Sequence, residues 1–170
     1  LMAWNADTTR LPARMHHEYL VALYLKNALA NGRYMVGGEP VSLTDLKMPV
    51  FMVGTERDHV SPWRSVYKLH QLTGTEISFL LTSGGHNAGI ISPPGHPRRS
   101  YRLATQPARA PWLSADEWLE RAESSAGSWW PAWQAWLAAH SSAPVKARPI
   151  PAGRALYPAP GHYVMQRYAE

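Results

Sequence analysis

Residues 76–86 read EISFLLTSGGH, and this stretch decides the fold class. The apolar run followed by Ser83, Gly84 and Gly85 predicts a buried strand that ends in a turn. Upstream, MPVFMVG at 48–54 is a second short apolar run and predicts another buried strand. Between them, Ser61 as N-cap and Pro62 as first helical residue predict a helix to about His70. Strand, helix and strand within roughly 35 residues predict a βαβ unit with parallel strands, and so an α/β fold.

Two polar side chains follow these strands. Asp58 lies in the loop after the first strand and His86 comes directly after the second. Parallel strands end at the same edge of a sheet, where open α/β sheets place their ligand crevices, so we expect both residues to leave the sheet at that edge. An acid followed by a histidine is the order of the last two members of an α/β-hydrolase triad, whose nucleophile stands earlier on a G-x-S-x-G elbow. The chain has no such elbow, and spacing alone also allows a plain turn aspartate and a loop histidine.

Length and composition limit the possible functions. The 170 residues, 45% apolar and 17% charged, are typical of one globular domain, and no apolar run approaches the roughly 18 to 20 residues of a membrane span. The absence of cysteine excludes a disulfide, a thiolate metal site or a cysteine nucleophile within the chain. The eight histidines form no zinc motif, so no metal is predicted. The net charge of +5 favours an acidic partner or substrate without specifying one.

The rest of the chain predicts further helices and a tail. Helical periodicity predicts a helix over 12–30, and residues from 87 to Trp112 are predicted to be irregular. Ser114 and Glu117 form a capping box that starts a short helix, and a second amphipathic helix follows Gly127. Its tryptophans, at 129, 130, 133 and 136, are interpreted as core packing rather than as a stacking platform for nucleic acid. Five prolines after residue 140 predict a basic tail that lies extended on the domain or is partly disordered, and hence two parts, 1–140 and 141–170.

Several motifs together resemble the class I polyhydroxyalkanoate synthases. They follow the order of that family's sequence blocks over almost the whole chain: WNADTTRLP at 4–12, GTERDHVSPW at 54–63, SGGHNAG at 83–89, PP at 93–94 and GSWWP at 127–131. The resemblance implies the C-terminal part of an α/β-hydrolase-fold catalytic domain. It also implies an acyltransferase that polymerises (R)-3-hydroxyacyl groups from coenzyme A thioesters into a polyester with release of coenzyme A. The departure is the missing N-terminal half, which in that family carries a cysteine nucleophile.

The resemblance also implies roles for individual residues. His86 matches the catalytic histidine, the general base for the cysteine thiol. Asp58 matches the catalytic aspartate, which either holds the imidazole or activates the incoming 3-hydroxyl, and the sequence leaves both roles open. His59 is expected to support the pair or simply to pack. Arg98 and Arg99 suit the phosphates of coenzyme A, with a solvated loop as the alternative.

The same resemblance predicts the setting in which the chain works. Trp4, Asn5 and Asp7 are expected to form a rigid entry to the core. The chain start is expected to be a cut inside a larger protein, so the chain alone should be inactive and should need the N-terminal part of the same enzyme. No cofactor is expected beyond the coenzyme A of the substrate, and the location is expected to be the cytoplasmic surface of polymer granules. An open sheet edge predicts self-association. The alternative function is a non-catalytic, basic and Trp-rich module that contacts a granule or a polyanion.

Overall fold

The computed structural model describes residues 10–149, 153 and 157–165. These residues fall into two compact units: Glu18–Ser141, and a smaller one drawn from Leu1–His17 and Ser142–Glu170. In the smaller unit, the phenol oxygen of Tyr163 accepts a hydrogen bond of 3.3 Å from the backbone N–H of Arg10. Residues 142–149 are exposed and form neither helix nor strand, as expected for a proline-rich segment. The predicted division into 1–140 and 141–170 stays a prediction.

Short helices and strands alternate along the chain. In order they are helix α1 Ala13–Tyr19, a π-helical segment Leu20–Leu25, strands β1 Tyr34–Val36 and β2 Glu39–Val41, a 3₁₀ turn Leu43–Asp45, strand β3 Val50–Thr55, helices α2 Trp63–Tyr67 and α3 Leu69–Leu72, strand β4 Ile77–Thr82, strand β5 Ser100–Gln106, helix α4 Ala115–Arg121, strand β6 Glu123–Ala126, helix α5 Trp130–Ala139 and a 3₁₀ turn Tyr163–Met165. None of the helices in the described part of the chain has the length and apolar character needed to span a bilayer.

The main sheet has the strand order β3-β4-β5-β6. Strands β3 and β4 are parallel, with Val50 opposite Ile77 and Thr55 opposite Thr82, which confirms the predicted βαβ unit. Because the two strands end level with each other, the loops that follow them leave the sheet side by side. The other two pairings are antiparallel, and within the described ranges no strand pairs with the outer edge of β3. The architecture is therefore a mixed α/β sheet with one parallel pair.

Strand β5 corrects the prediction of an irregular stretch from 87 to Trp112, and β6 is a further strand that was not predicted. The sequence SYRLATQ of β5 places Arg102 in the middle of a weak apolar pattern, so its local signal for a strand is poor. Arg102 is accommodated because its Nη1 donates a hydrogen bond of 2.8 Å to the carbonyl of Ala122. Pairing with the fully buried strand β4 thus overrides the local pattern.

The predicted helix boundaries are partly wrong. The helix expected over 12–30 ends earlier, because the chain leaves helical geometry at Asn27, which has a φ of 46°. The helix expected from Ser61 begins at Trp63, with Pro62 rather than Ser61 as the N-cap. Ser61 instead gives its backbone N–H to Asp58. Short helices that lack a side-chain cap depend on tertiary packing for their stability.

The core lies on one face of the sheet and is largely aromatic. The ring of Phe79 on β4 is 4.7 Å from Trp118 and 5.2 Å from Tyr67, measured between ring centroids. Trp63 packs onto the same cluster, and a Cβ atom on Gly54 would lie 3.1 Å from both Trp63 and Phe79. The helices between and after the strands are therefore fixed by ring contacts across the sheet face.

The two predicted C-terminal helices are present, but their surroundings differ from expectation. The capping box of α4 is confirmed, since the side chains of Ser114 and Glu117 both bond to each other's backbone N–H. On α5, Trp129 at the N-cap is 6% exposed and packs in the interior, as predicted. Trp133 is 41% exposed, so the interpretation of the whole tryptophan stripe as core packing is wrong at that position.

Candidate active site

Asp58 and His86 form a hydrogen-bonded pair at the edge where β3 and β4 end. The Nδ1 atom of His86 lies 3.1 Å from Oδ1 and 3.0 Å from Oδ2 of Asp58. The carboxylate is 7% exposed, whereas the histidine side chain is 43% exposed. The acid is therefore held inside the loop, and the imidazole stands between it and solvent with Nε2 available for another group.

The loop after β3 surrounds the carboxylate with hydrogen-bond donors. Backbone N–H groups of Val60 and Ser61 donate to Oδ1 at 2.9 and 2.8 Å, and the hydroxyl of Thr55 donates to Oδ2 at 3.2 Å. Burial by itself raises the pKa of Asp58, but the bonds from Ser61, His86 and Val60 favour the ionised form and outweigh it. The pKa falls from the ordinary 3.8 to about 2. Asp58 is thus a fixed anion at neutral pH.

The loop that carries His86 is tied to the loop that carries Asp58. The backbone N–H of Arg57 donates to the carbonyl of Gly84 at 2.9 Å, just beyond the last paired residues of the two strands. Gly84 has a φ of +117°, which residues with a Cβ rarely adopt. After His86 the chain makes one tight turn, with the N–H of Gly89 bonded to the carbonyl of Gly85 at 2.8 Å. His86 therefore projects from a short segment fixed at both ends.

Gly89 lets this segment lie directly against β3. A Cβ atom at position 89 would be 2.6 Å from Cγ2 of Thr55 and 2.9 Å from the carbonyl oxygen of Gly85. Thr55 is itself buried, and its hydroxyl donates to Asp58. The close approach of Gly89 thus links the position of residues 85–92, which we call the histidine segment, to Thr55, the residue that supports Asp58.

The other predicted site residues are not part of this pair. His59 is exposed and has no hydrogen bond to any residue that the structure describes. Arg98 is exposed, with its backbone N–H bonded to His96. Arg99 is half-buried, and its Nη1 would lie 2.9 Å from a Cβ on Gly84, so its side chain packs beside the histidine segment. Roles of Arg98 and Arg99 in binding coenzyme A stay predictions. Trp4, Asn5 and Asp7 lie outside the described residues.

Two sets of supporting residues escaped the sequence interpretation. Thr55 had no predicted role beyond its place in the block at 54–63, although its hydroxyl donates to Asp58. Ser128, Trp129 and Trp130 all bond to carbonyls of the segment that follows His86. The adjacent tryptophans of WW were a usable signal, because neighbouring residues on a helix point in different directions and cannot share one packing stripe.

The lowered pKa of Asp58 predicts a pH dependence of stability. Because the carboxylate ionises more readily in the folded than in the unfolded chain, its contribution is complete above the unfolded pKa and is lost as pH falls through the folded value. We expect the stability difference between the wild type and Asp58→Asn to shrink steadily from about pH 5 to about pH 2. Urea unfolding of both chains across this range measures it. A difference that is independent of pH would contradict the role of the anion.

Comparison with known proteins finds that the chain is similar to one group of proteins. No protein-family model matches the chain. The poly(3-hydroxyalkanoate) polymerase subunit PhaC of Rhizobium etli is 41% identical over 171 residues, which cover 98% of this chain and 26% of that protein. The poly(3-hydroxyalkanoate) polymerase of Methylorubrum extorquens is 40% identical, covering 98% of the chain and 27% of that protein. The PhaC subunit of Cupriavidus necator is 38% identical, covering 96% and 28%.

The extent of these matches has two consequences. Because the identity runs over nearly the whole chain, the chain as a whole is similar to one part of each of these polymerases. The chain spans only about a quarter of the length of these relatives.

Proposed function

We propose that this chain supplies the histidine and aspartate of an acyltransferase that polymerises (R)-3-hydroxyacyl groups from coenzyme A thioesters. The observation that carries the proposal is the hydrogen bond between Asp58 and His86 at the carboxyl edge of a parallel strand pair, in a chain similar to polyhydroxyalkanoate polymerases. The finer assignment is the C-terminal part of an α/β-hydrolase-fold domain of class I type. The parallel β3–β4 pair and the chain order of acid and histidine support it.

The proposed reaction needs a nucleophile from outside the chain, because the chain has no cysteine. His86 takes the thiol proton at Nε2 as the sulfur attacks the carbonyl carbon of the acyl thioester. The bond to the sulfur of coenzyme A then breaks, and the leaving thiolate receives that proton. In the second half of the reaction, which lengthens the polymer, the 3-hydroxyl of another 3-hydroxyacyl group gives its proton to His86 and attacks the carbonyl carbon of the acyl-enzyme. The new ester forms as the enzyme thiolate leaves and regains the proton.

Asp58 acts, in this proposal, by holding the imidazole rather than by activating the hydroxyl. Its oxygens already accept hydrogen bonds from Thr55, Val60, Ser61 and His86. A carboxylate with a pKa of about 2 is also a weak base, poorly matched to removing a proton from an alcohol. As an anion bonded to Nδ1, it keeps the proton there and leaves Nε2 free to accept one.

The remaining parts of the proposal concern substrate contacts and partners. Arg98, which is exposed on the loop beyond His86, is the better candidate for the coenzyme A phosphates, because the side chain of Arg99 packs against Gly84. The nucleophile would come from a further segment of the same enzyme, working on polymer granules in the cytoplasm. The outer edge of β3 offers unpaired backbone groups for that segment or for a second copy of the chain.

Reconstitution tests the proposal directly. The purified chain, alone and mixed with the cysteine-bearing remainder of a related polymerase, is supplied with (R)-3-hydroxybutyryl-coenzyme A, and release of coenzyme A is followed. We expect no release by the chain alone and release on mixing. Release by the chain alone would overturn the requirement for an external cysteine. Equal release on mixing with a His86→Gln chain would favour the alternative, in which the chain is a non-catalytic assembly module.

A further inference from the structure

Three consecutive residues at the start of α5 bind the backbone that follows His86. The hydroxyl of Ser128 donates to the carbonyl of Ser92. The indole N–H of Trp129 donates to the carbonyl of Gly89 at 3.1 Å, and that of Trp130 donates to the carbonyl of Ile90 at 3.0 Å. We call Ser128, Trp129 and Trp130 the clamp. Its three hydrogen bonds go to backbone carbonyls within the four consecutive residues 89–92 of the histidine segment.

The clamp is itself rigidly placed. Gly127 turns the chain with a φ of +96°, and its N–H donates to the carbonyl of Arg99 at 2.6 Å. The hydroxyl of Ser128 also accepts the backbone N–H of Trp130 at 3.1 Å. Trp129 is nearly fully buried, and its ring lies 5.9 Å from that of Trp133. Indole rings have few rotamers, so a bond from a buried indole fixes its acceptor more firmly than one from a long flexible side chain.

The segment between Gly85 and Ser92 is therefore held from two sides. At its start, Gly84 is bonded to Arg57 of the Asp58 loop. At its end, the clamp binds the carbonyls of residues 89, 90 and 92. His86 is 43% exposed, so packing around its own ring fixes only part of its position. The backbone of this segment brings the ring to Asp58, where the hydrogen bond to Nδ1 completes the pair.

We infer that Ser128, Trp129 and Trp130 are positioning residues for His86, acting through the backbone of residues 85–92. The expected effect of the clamp on kcat rests on the proposed function, whereas its hold on the backbone of residues 85–92 does not. The clamp touches none of the reacting atoms. It keeps Nδ1 of His86 within bonding distance of Asp58 and thereby sets the direction of Nε2.

The test removes the indole donors while retaining aromatic rings. Trp129→Phe, Trp130→Phe and the double variant are compared with Trp136→Phe, whose buried indole N–H has no hydrogen-bond partner in the described chain. Amide hydrogen exchange at Gly89 and Ile91 is measured in the chain, because both N–H groups bond within the segment. The kcat and KM for (R)-3-hydroxybutyryl-coenzyme A are measured in the reconstituted enzyme.

In the double variant we expect faster exchange at Gly89 and Ile91 and a fall in kcat of about 10-fold to 10²-fold, with KM changed by less than about 2-fold. Trp136→Phe should leave local exchange and kcat near the wild-type values. Unchanged local exchange in a folded double variant would overturn the inference. So would exchange that rises equally throughout the sheet, because the tryptophans would then stabilise the fold as a whole.

Milder variants cover the case in which Trp129→Phe does not fold. Trp130→Phe and Ser128→Ala alter partly exposed residues and carry the same prediction with smaller effects.

The His86→Gln variant keeps this test separate from that of the proposed function. If His86→Gln remains active in the reconstituted enzyme, the proposed function fails, whereas local exchange still reports on the clamp. If His86→Gln is inactive and the clamp variants keep full kcat, the clamp inference alone fails.

Discussion

His86→Gln is expected to lower coenzyme A release in the reconstituted enzyme by at least about 10³-fold. Glutamine approximates the reach of histidine but cannot accept the thiol proton, so no thiolate forms through this residue. The carboxylate of Asp58 keeps its bonds to Thr55, Val60 and Ser61, so the loop should persist. The measurement is the initial rate of release at saturating substrate, with urea unfolding of each variant to confirm folding.

The matched control for this variant is His17→Gln, the same exchange at an exposed position on helix α1. It should leave the rate near that of the wild type. If His86→Gln and His17→Gln gave similar rates, His86 would not be the base.

Asp58→Asn extends the same experiment to the second member of the pair. If Asp58 holds the imidazole, both the first transfer to the cysteine and later elongation should slow, by about 10²-fold to 10⁴-fold. Single-turnover release of one equivalent of coenzyme A separates these steps. A normal first transfer followed by blocked elongation would assign the aspartate to the 3-hydroxyl instead.

Gly89→Ala is expected to destabilise this edge of the sheet strongly for so small a substitution. The added methyl would meet Thr55 at 2.6 Å and the carbonyl of Gly85 at 2.9 Å, and both are fixed by the backbone. Overpacking of this kind costs about 1 to 3 kcal/mol, and we expect a loss near the upper end because neither neighbour is the flexible tip of a long side chain. Moving the segment away from Thr55 also moves His86, so the rate should fall together with the stability.

Urea unfolding of the chain and release by the reconstituted enzyme measure the two effects of Gly89→Ala. Gly74→Ala is the control, because nothing lies within 4 Å of a Cβ at that position. It should change stability by less than about 0.5 kcal/mol and leave the rate unaltered. Equal stability of the two alanine variants would show that the segment moves easily and that His86 is not fixed by this contact.

Short-range patterns predicted those parts of the fold whose cause is local. The apolar runs bounded by turn residues identified β3 and β4, and the S-x-x-E spacing identified the capping box of α4. The position of Asp58 and His86 at one sheet edge followed from one additional argument, that parallel strands end at the same edge, whereas their pairing was implied by the family resemblance. Strand β5 was missed because its stability comes from pairing with β4 rather than from its own sequence pattern.

The sequence by itself determined the α/β class, the parallel strand pair and the position of Asp58 and His86 at one sheet edge, because these depend on hydrophobic periodicity and on neighbours close along the chain. Only the tertiary structure decided which residues hold the pair in place. The contacts that do so join distant parts of the chain. Thr55 packs against Gly89, and the N–H of Arg57 bonds to the carbonyl of Gly84. Two tryptophans 40 residues along the chain bond to the segment that follows His86. Such contacts depend on the detailed packing of several elements, and no local pattern specifies which residues they join.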